Sequence, residues 1–231
     1  MKTASTTIID LSHPIAENMP LWPGDPKTKI ETCATVAQDG YMLNQVTIGE
    51  HTGTHIGAPR HFSATGRSVD NIPPQHLFAE CAVLDVQTQA RKDNDYLVQV
   101  ADVVEWEKEF GMIKSDSIVL FKTGWSLRWT IPAAYWGTAP NGNHFPGVSL
   151  QTAQYLVDKR NIIGLGVDTG GIDGGQSKDF ATNQLLAAND IYHLENLNLK
   201  DVKSGRLHIF VGALAIQSGS GSPCRVLALL D

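Results

Sequence analysis

Short runs of apolar, often β-branched residues alternate along this chain with segments of helical pattern, and this alternation constrains the fold most strongly. Five of these runs have the length and composition of buried strands. They are residues 82–86, 117–121, 162–167, 209–216 and 225–230. Strands that alternate with helices favour an α/β domain. The sequence therefore predicts an α/β fold with a mixed β-sheet and flanking helices, without fixing the order of the strands.

Three segments carry the signals of helices. Residues 102–110 end at Gly111, a residue type that is favoured just beyond a helix C-terminus. Residues 149–160 begin on a serine that suits the N-cap position and close with lysine and arginine near the negative end of the helix dipole. A third helix is predicted over residues 183–188. Near the N-terminus, residues 9–15 are predicted to form a short strand that runs into a proline-rich loop.

Composition restricts the domain organisation and the classes of partner. No low-complexity tract, charge block or repeat divides the 231 residues, so we predict a single domain over residues 1–231. The three cysteines form no CxxC pair, which argues against a thiolate zinc site. A net charge of −6 without a basic cluster argues against nucleic acid or an anionic membrane as partner. Neither a signal peptide nor a membrane span is evident, so we expect a cytoplasmic location.

Three of the eight histidines, His51, His55 and His61, fall within eleven residues. A spacing of four could place His51 and His55 on one helical face, but Gly53 and Pro59 oppose a helix here. In a strand with period two, both imidazoles would point to one side, with Gly53 leaving room between them for an ion or a substrate. A single histidine on a strand is usually structural. Two on one face, flanked by glycines, favour a metal site.

The segment from His51 to His61 resembles the signature of the cyclase family of metal-dependent hydrolases, which includes bacterial kynurenine formamidases and isatin hydrolases. The family pattern is His-x-Gly-Thr-His-x-Asp-x-Pro-x-His, and the chain departs from it only at the aspartate. Further matching stretches spread the resemblance over essentially the whole chain; they lie at residues 10–12, 22–25, 123–125, 144–147, 166–168 with Asp173, 192–197 and 222–225. The resemblance implies an α/β fold of the swivelling β/β/α type and a homodimer or homotetramer.

The resemblance also implies a divalent metal, zinc or manganese, held by His51, His55 and Glu195. Two departures bear on this site, because the family's aspartate is Gly57 here and a histidine expected before the late glutamate is Asn183. Loss of an anionic ligand weakens the binding of a divalent ion. Three alternatives remain open: one ion completed by Glu195 or by water, loss of the ion, or a carboxylate supplied from elsewhere. The candidate carboxylates are Asp70, Asp168 and Asp173.

The activity implied by the resemblance is hydrolysis of a small amide, formamide, lactam or lactone by metal-activated water. The reaction needs a base and an acid, and His61 and Glu195 are the candidates for proton transfer. The predicted substrate contacts are Trp22, Arg60, Trp125 and Asn183. Two other function classes remain open. One is a non-catalytic binding protein on the same scaffold, and the other is a lyase or cyclase that enolises a carbonyl.

Overall fold

The computed structural model describes residues 7–137 and 142–230. Its strands are β1 (Thr7–Asp10), β2 (Lys29–Ala34), β3 (Leu43–Thr47), β4 (His55–Gly57), β5 (Phe78–Asp85), β6 (Leu97–Val98), β7 (Ile118–Lys122), β8 (Gly147–Val148), β9 (Gly164–Val167), β10 (Tyr192–Glu195), β11 (Gly205–Ala213) and β12 (Gly221–Leu230). Its α-helices are α1 (Val36–Asp39), α2 (Gln87–Lys92), α3 (Val100–Phe110), α4 (Pro132–Trp136), α5 (Leu150–Arg160) and α6 (Ala181–Ala188). Short 3-10 turns lie at Pro59–His61, Val69–Asn71, Pro74–His76 and Trp125–Arg128.

An eight-stranded mixed sheet, in the order β1-β12-β11-β5-β7-β9-β10-β4, forms the centre of the protein. Strand β12 also pairs with β4, so the sheet closes on itself like a barrel. The strands β5, β7, β9 and β10 run parallel to one another, whereas the remaining pairings are antiparallel. The predicted α/β fold with a mixed sheet is confirmed, and β1 and β12 bring both ends of the described chain into that sheet.

The parallel strands are buried on both faces, which explains why they are almost continuously apolar in sequence. In β7, Ile118 and Leu120 pack with side chains of β4, β10, β11 and β12 in one apolar cluster. The alternate residues Val119 and Phe121 pack in a second cluster that includes Trp106 of α3. Because successive strand side chains point to opposite faces, one strand contributes to both clusters. The helices therefore cover one face of the sheet.

The three predicted helices are confirmed as α3, α5 and α6. Helix α5 begins after Ser149, whose Oγ accepts a hydrogen bond of 3.2 Å from the backbone N–H of Thr152. Helix α3 begins two residues before its predicted start, because Gln99 and Asp102 form a capping box there. Among the helices that the structure describes, none is both long enough and apolar enough to cross a membrane.

Two predictions about strands need correction. The N-terminal strand covers Thr7–Asp10 instead of residues 9–15. The strand predicted through His51 was wrong, because only His55–Gly57 is extended. Gly53 has a φ of +63°, in the left-handed region that favours glycine, and this turn interrupts any strand that leads to His55. The two histidines nevertheless converge, with ring centroids 5.1 Å apart.

Candidate metal centre and substrate cavity

A cavity of about 300 Å³ opens beside strands β4 and β10. Imidazoles, carboxylates and aromatic rings line it together with two asparagines. The lining includes His51, His55, His61 and His193; Asp25, Asp173 and Glu195; Trp22, Phe62, Trp136 and Phe180; and Asn183 and Asn196. Enclosure by aromatic rings with a few polar groups at one end is typical of a site for a small ligand.

Three of these imidazoles form one cluster. His51, His55 and His193 each offer a ring nitrogen, and the three nitrogens lie within 4.8 Å of one another. His55 lies on β4 and His193 on the neighbouring β10, while His51 lies in the turn before β4. The side chains of His55 and His193 are buried. The arrangement provides three convergent donors of the type that binds zinc and related ions.

The hydrogen bonding of His55 fixes its tautomer. Its Nδ1 lies 2.9 Å from the carbonyl oxygen of Gly53, which can only accept, so Nδ1 carries the proton. The lone pair is therefore on Nε2, which has no hydrogen-bond partner among the described residues. The Oε2 of Glu195 approaches this Nε2 to 3.3 Å, within ion-pair distance but without a hydrogen bond. His55 thus has the protonation state that a metal ligand requires.

His51 is oriented in a comparable way. Its Nε2 lies 3.0 Å from the Oγ of Ser220, and that hydroxyl donates to the carboxylate of Glu50. Since the hydroxyl proton is engaged by Glu50, Ser220 accepts from the Nε2–H of His51. The lone pair of His51 is then on Nδ1, which is buried and has no partner in the described part of the chain. We call His51 Nδ1 and His55 Nε2 the two open nitrogens.

The electrostatics of the cluster keep His51 and His193 neutral and the carboxylate of Glu195 charged. Burial lowers the pKa of His51 far below its ordinary value and lowers the pKa of His193 to about 4. Burial alone would raise the pKa of Glu195, but the imidazoles of His193 and His55 lower it to about 2, helped by the backbone N–H of Ile172. At neutral pH, the neutral imidazoles of His51 and His193 therefore lie near the ionised carboxylate of Glu195. The donor set fits a divalent cation.

A hydrogen-bond chain from the core holds His55 in place. The Oη of Tyr135 donates to Asn196 Oδ1 at 2.6 Å, and Asn196 Nδ2 donates to the Gly53 carbonyl at 2.9 Å. The hydroxyl of Thr54 donates to the backbone carbonyl of Asn196 at 2.6 Å. These contacts fix the carbonyl that accepts from His55 Nδ1. Such support around a metal-ligating histidine sets the orientation of its ring.

The structure brings six of the eight predicted site residues to the cavity. His51, His55 and Glu195 lie at the cluster as described. His61 is exposed at the cavity, with its ring stacked 3.8 Å from that of His51. Trp22 packs edge-on against Trp136, with the ring centroids 5.5 Å apart. Asn183 on α6 is buried, and the described residues provide no hydrogen-bond partner for its Oδ1.

Arg60 and Trp125, two predicted substrate contacts, lie outside the cavity lining as the described residues define it. Arg60 is exposed, because the 3-10 turn after Pro59 directs it to the surface. Trp125 is only 2% exposed and donates from Nε1 to the carbonyl oxygen of Tyr135 at 2.6 Å. This tryptophan therefore packs in the core, where it supports α4 and does not contact a ligand in the cavity.

The three carboxylates considered as replacements for a missing ligand are engaged elsewhere. Asp70 is exposed and accepts a hydrogen bond from the hydroxyl of Ser68. Asp168 is fully buried and accepts from the backbone N–H and hydroxyl of Thr123. Asp173 lines the cavity, but its two oxygens accept from backbone N–H groups in the first turn of α6, those of Thr182 and Asn183. The third donor in the cluster is the imidazole of His193.

His193 is the site residue that sequence reasoning missed. It lies two residues before Glu195, so the period of a strand places both side chains on one face of β10. That signal was present in the sequence. His193 lies at the cluster because β10 pairs with β4, and in this pairing His193 faces Gly57 and Glu195 faces His55. Spacing along the chain does not disclose this register.

Comparison with known proteins relates this site to characterised families. Residues 9–174 match the model of the Cyclase family, described as "Putative cyclase". The isatin hydrolase of Roseibium aggregatum is 31% identical, over 98% of this chain and 88% of that protein. The kynurenine formamidase of Bacillus cytotoxicus is 26% identical, over 95% of each chain.

Solved structures agree with the sequence relatives. Isatin hydrolase A from Ralstonia solanacearum superposes with a TM-score of 0.90 at 34% identity, over 98% of this chain and 92% of that one. An isatin hydrolase bound to the product analogue thioisatinate gives a TM-score of 0.90 at 30% identity, over 97% and 92% of the two chains. A structure described as a potential metal-dependent hydrolase with cyclase activity gives 0.76 at 26% identity, over 97% and 98%.

Proposed function

This chain belongs to the Cyclase family, with isatin hydrolase and kynurenine formamidase among its homologues, and we propose that it is a metal-dependent hydrolase of a small aromatic amide. The bond cleaved is a carbon–nitrogen bond outside a peptide, in a lactam ring or an arylformamide. One observation carries the proposal. Ring nitrogens of His51, His55 and His193 converge beside the ionised carboxylate of Glu195, in a cavity lined by aromatic rings, and the two open nitrogens have no partner among the described residues.

The residues that would hold a divalent ion are His51, His55 and His193. An ion bound there supplies a Lewis acid that polarises the substrate carbonyl and lowers the pKa of water. Without such a ligand, two neutral imidazole lone pairs would stay buried and unsatisfied, at a cost of about 1–3 kcal/mol each. This cost disfavours the alternative of a binding protein that has lost its metal.

Glu195 is suited to accept the proton of the attacking water. Its Oε1 accepts the backbone N–H of Ile172 at 2.9 Å, which fixes the carboxylate, and its Oε2 faces the imidazole of His55. As water adds to the carbonyl carbon, one proton passes to Glu195. When the carbon–nitrogen bond breaks, that proton passes to the leaving nitrogen, and the carboxylic acid that forms releases the remaining proton of the water to become the product carboxylate. The exposed imidazole of His61 would relay protons between the buried site and solvent.

The cavity favours a flat aromatic substrate. Trp22, Trp136 and Phe180 line it, and the ring of Trp22 packs edge-on against Trp136 and at a tilt against Phe180. Asn183 presents a buried side-chain oxygen that finds no partner within the described residues. This oxygen would accept the N–H of a lactam or of an arylformamide.

The homodimer or homotetramer expected from the family resemblance stays a prediction.

The test is hydrolysis of isatin and of an aryl formamide by the metal-loaded protein in water enriched in oxygen-18. The proposal expects one labelled oxygen in the product carboxylate or formate. Turnover without incorporation of the label would favour a lyase or cyclase. Absence of turnover with either substrate class, and with lactones, would contradict the proposal.

A further inference from the structure

Gly57 and His193 occupy facing positions on neighbouring strands. Strand β4 pairs antiparallel with β10, and Gly57 is the register partner of His193. A Cβ atom built on Gly57 would lie 2.0 Å from Nε2 and 2.2 Å from Cε1 of the His193 ring. Both distances are far inside van der Waals contact. The imidazole of His193 therefore fills the space into which any side chain at position 57 would project.

The absence of a side chain at position 57 thus admits the third imidazole of the cluster. With His193 in this place, the three convergent donors are all imidazoles. The neighbouring carboxylate of Glu195 is held through Oε1 by the backbone N–H of Ile172, and the carboxylate of Asp173 is held by the start of α6. A side chain at position 57 would displace the ring and change the donor set at its third position.

We propose that Gly57 and His193 are an exchanged pair in which a ligand carried by β4 is replaced by an imidazole carried by β10, so that the site selects zinc over manganese. Imidazole suits zinc, whereas manganese and magnesium bind more readily where carboxylate oxygens contribute. Three neutral imidazoles would also leave the charge of a bound ion uncompensated by the residues that hold it. This strengthens its effect on bound water and on a substrate carbonyl.

The inference rests on the proposed function only in placing a metal ion at the three histidines. Its test measures metal binding and needs no turnover. The metal-free protein is titrated with Zn²⁺ and with Mn²⁺ in competition with a chromophoric chelator, and circular dichroism confirms that each variant is folded. We expect the parent to bind zinc at least about 100-fold more tightly than manganese.

Two variants test the role of His193. His193→Ala leaves space without creating a clash, and it should weaken zinc binding by about 100-fold or more, because it removes one of three ligands. Gly57→Ala adds only the atom that collides with the ring, and it should weaken zinc binding although no donor is removed. The matched control is Gly49→Ala, where an added Cβ would meet its nearest neighbours at 3.4–3.8 Å and should leave both affinities unchanged.

Two further variants test selectivity. The exchange variant Gly57→Asp/His193→Gly returns a carboxylate to β4, and His193→Glu places one on β10 without altering position 57. Each should lower the ratio of zinc to manganese affinity by about tenfold or more. Unchanged zinc affinity in His193→Ala, or a ratio that does not fall in either folded carboxylate variant, would overturn the inference.

The outcomes separate this inference from the proposed function. A protein that binds zinc through His193 but hydrolyses none of the amides would overturn the proposed function and leave the exchanged pair supported. If the protein hydrolyses an amide but binds zinc equally well without His193, the proposed function is supported and the exchanged pair is overturned.

Discussion

The side-chain amide of Asn196 donates a hydrogen bond of 2.9 Å to the carbonyl oxygen of Gly53, which also accepts from the Nδ1 of His55. Asn196 has a φ of +56°, which asparagine tolerates better than most residues. Asn196 directly follows Glu195, the proposed general base, and it also orients His55, a proposed metal ligand. Residues 195 and 196 therefore supply both the carboxylate of the site and the hydrogen bond that orients the ring of His55.

Removal of this support should weaken metal binding without removing a ligand. Asn196→Gly keeps a residue that adopts the positive φ but deletes both hydrogen bonds of the amide. We expect zinc affinity to fall about 10–100-fold, the range found for partners that orient metal-bound histidines. Tyr135→Phe removes the hydroxyl that donates to Asn196 Oδ1 and contacts the carbonyl oxygen of Asp168 at 3.4 Å, and its zinc affinity should lie between those of Asn196→Gly and the parent. Equal affinity in all three proteins, measured by chelator competition, would contradict the role assigned to Asn196.

Replacement of Glu195 should separate proton transfer from metal binding. Glu195→Gln keeps the shape of the side chain but removes its charge and basicity. We expect kcat to fall about 10²–10⁴-fold, the usual contribution of a general base, while the metal content stays that of the parent. Loss of the metal together with activity would show that Glu195 is itself a ligand. Near-full turnover would exclude it from proton transfer.

Truncation of the aromatic wall should act on substrate binding. Trp22→Ala removes a ring that lines the cavity and packs against Trp136. We expect kcat/KM for an aromatic substrate to fall about 10–100-fold, mainly through KM, because the lost contact serves ground state and transition state alike. Arg60→Ala is the matched control, since Arg60 is exposed, and steady-state kinetics should show less than a twofold change.

His13 should make the stability of the metal-free protein depend on pH. Its ring stacks on Trp129 with the centroids 4.2 Å apart, and burial lowers its pKa from 6.5 to about 4. Between these two values the unfolded chain binds a proton that the folded protein does not, so the free energy of unfolding falls as pH falls from about 6.5 to 4. Above this window His13 contributes no pH dependence.

Comparison with His13→Gln isolates this contribution, because the other histidines remain in both proteins. After a discount for the partial exposure of the ring, we expect His13 to account for on the order of 1 kcal/mol of the stability lost across the window. Urea denaturation at a series of pH values measures it. Identical pH profiles for parent and variant would show that His13 is not held neutral by the fold.

Local patterns in the sequence predicted most of the long strands and helices, but they could not predict that the sheet closes on itself. Runs such as residues 117–121 and 162–167 became β7 and β9, because a strand buried on both faces must be almost wholly apolar. The pairing of β12 with β4 closes the sheet, and it joins segments more than 160 residues apart through a strand that contains Pro223. The apolar run predicted this strand only over residues 225–230, whereas β12 begins at Gly221 and includes Pro223, a residue type that sheets tolerate mainly at edges and bulges.

The candidate site was predictable where its residues are adjacent in the chain. His51 and His55 were identified from their spacing, although a left-handed turn at Gly53 brings them together instead of a strand. His193 was not identified, because its place beside them follows from the register of β10 against β4. In the sequence, Gly57 indicated only that the aspartate of the family pattern is missing. In the structure it is the position that leaves space for the imidazole of His193.

The most direct test of a metal centre at these histidines is the metal content of the purified, untagged protein. Elemental analysis would compare the parent with His51→Ala/His55→Ala, which removes the two open nitrogens. We expect close to one equivalent of zinc in the parent after incubation with the ion and dialysis, and its loss in the double variant. Failure of the parent to retain zinc, manganese or iron, or equal retention by both proteins, would contradict it.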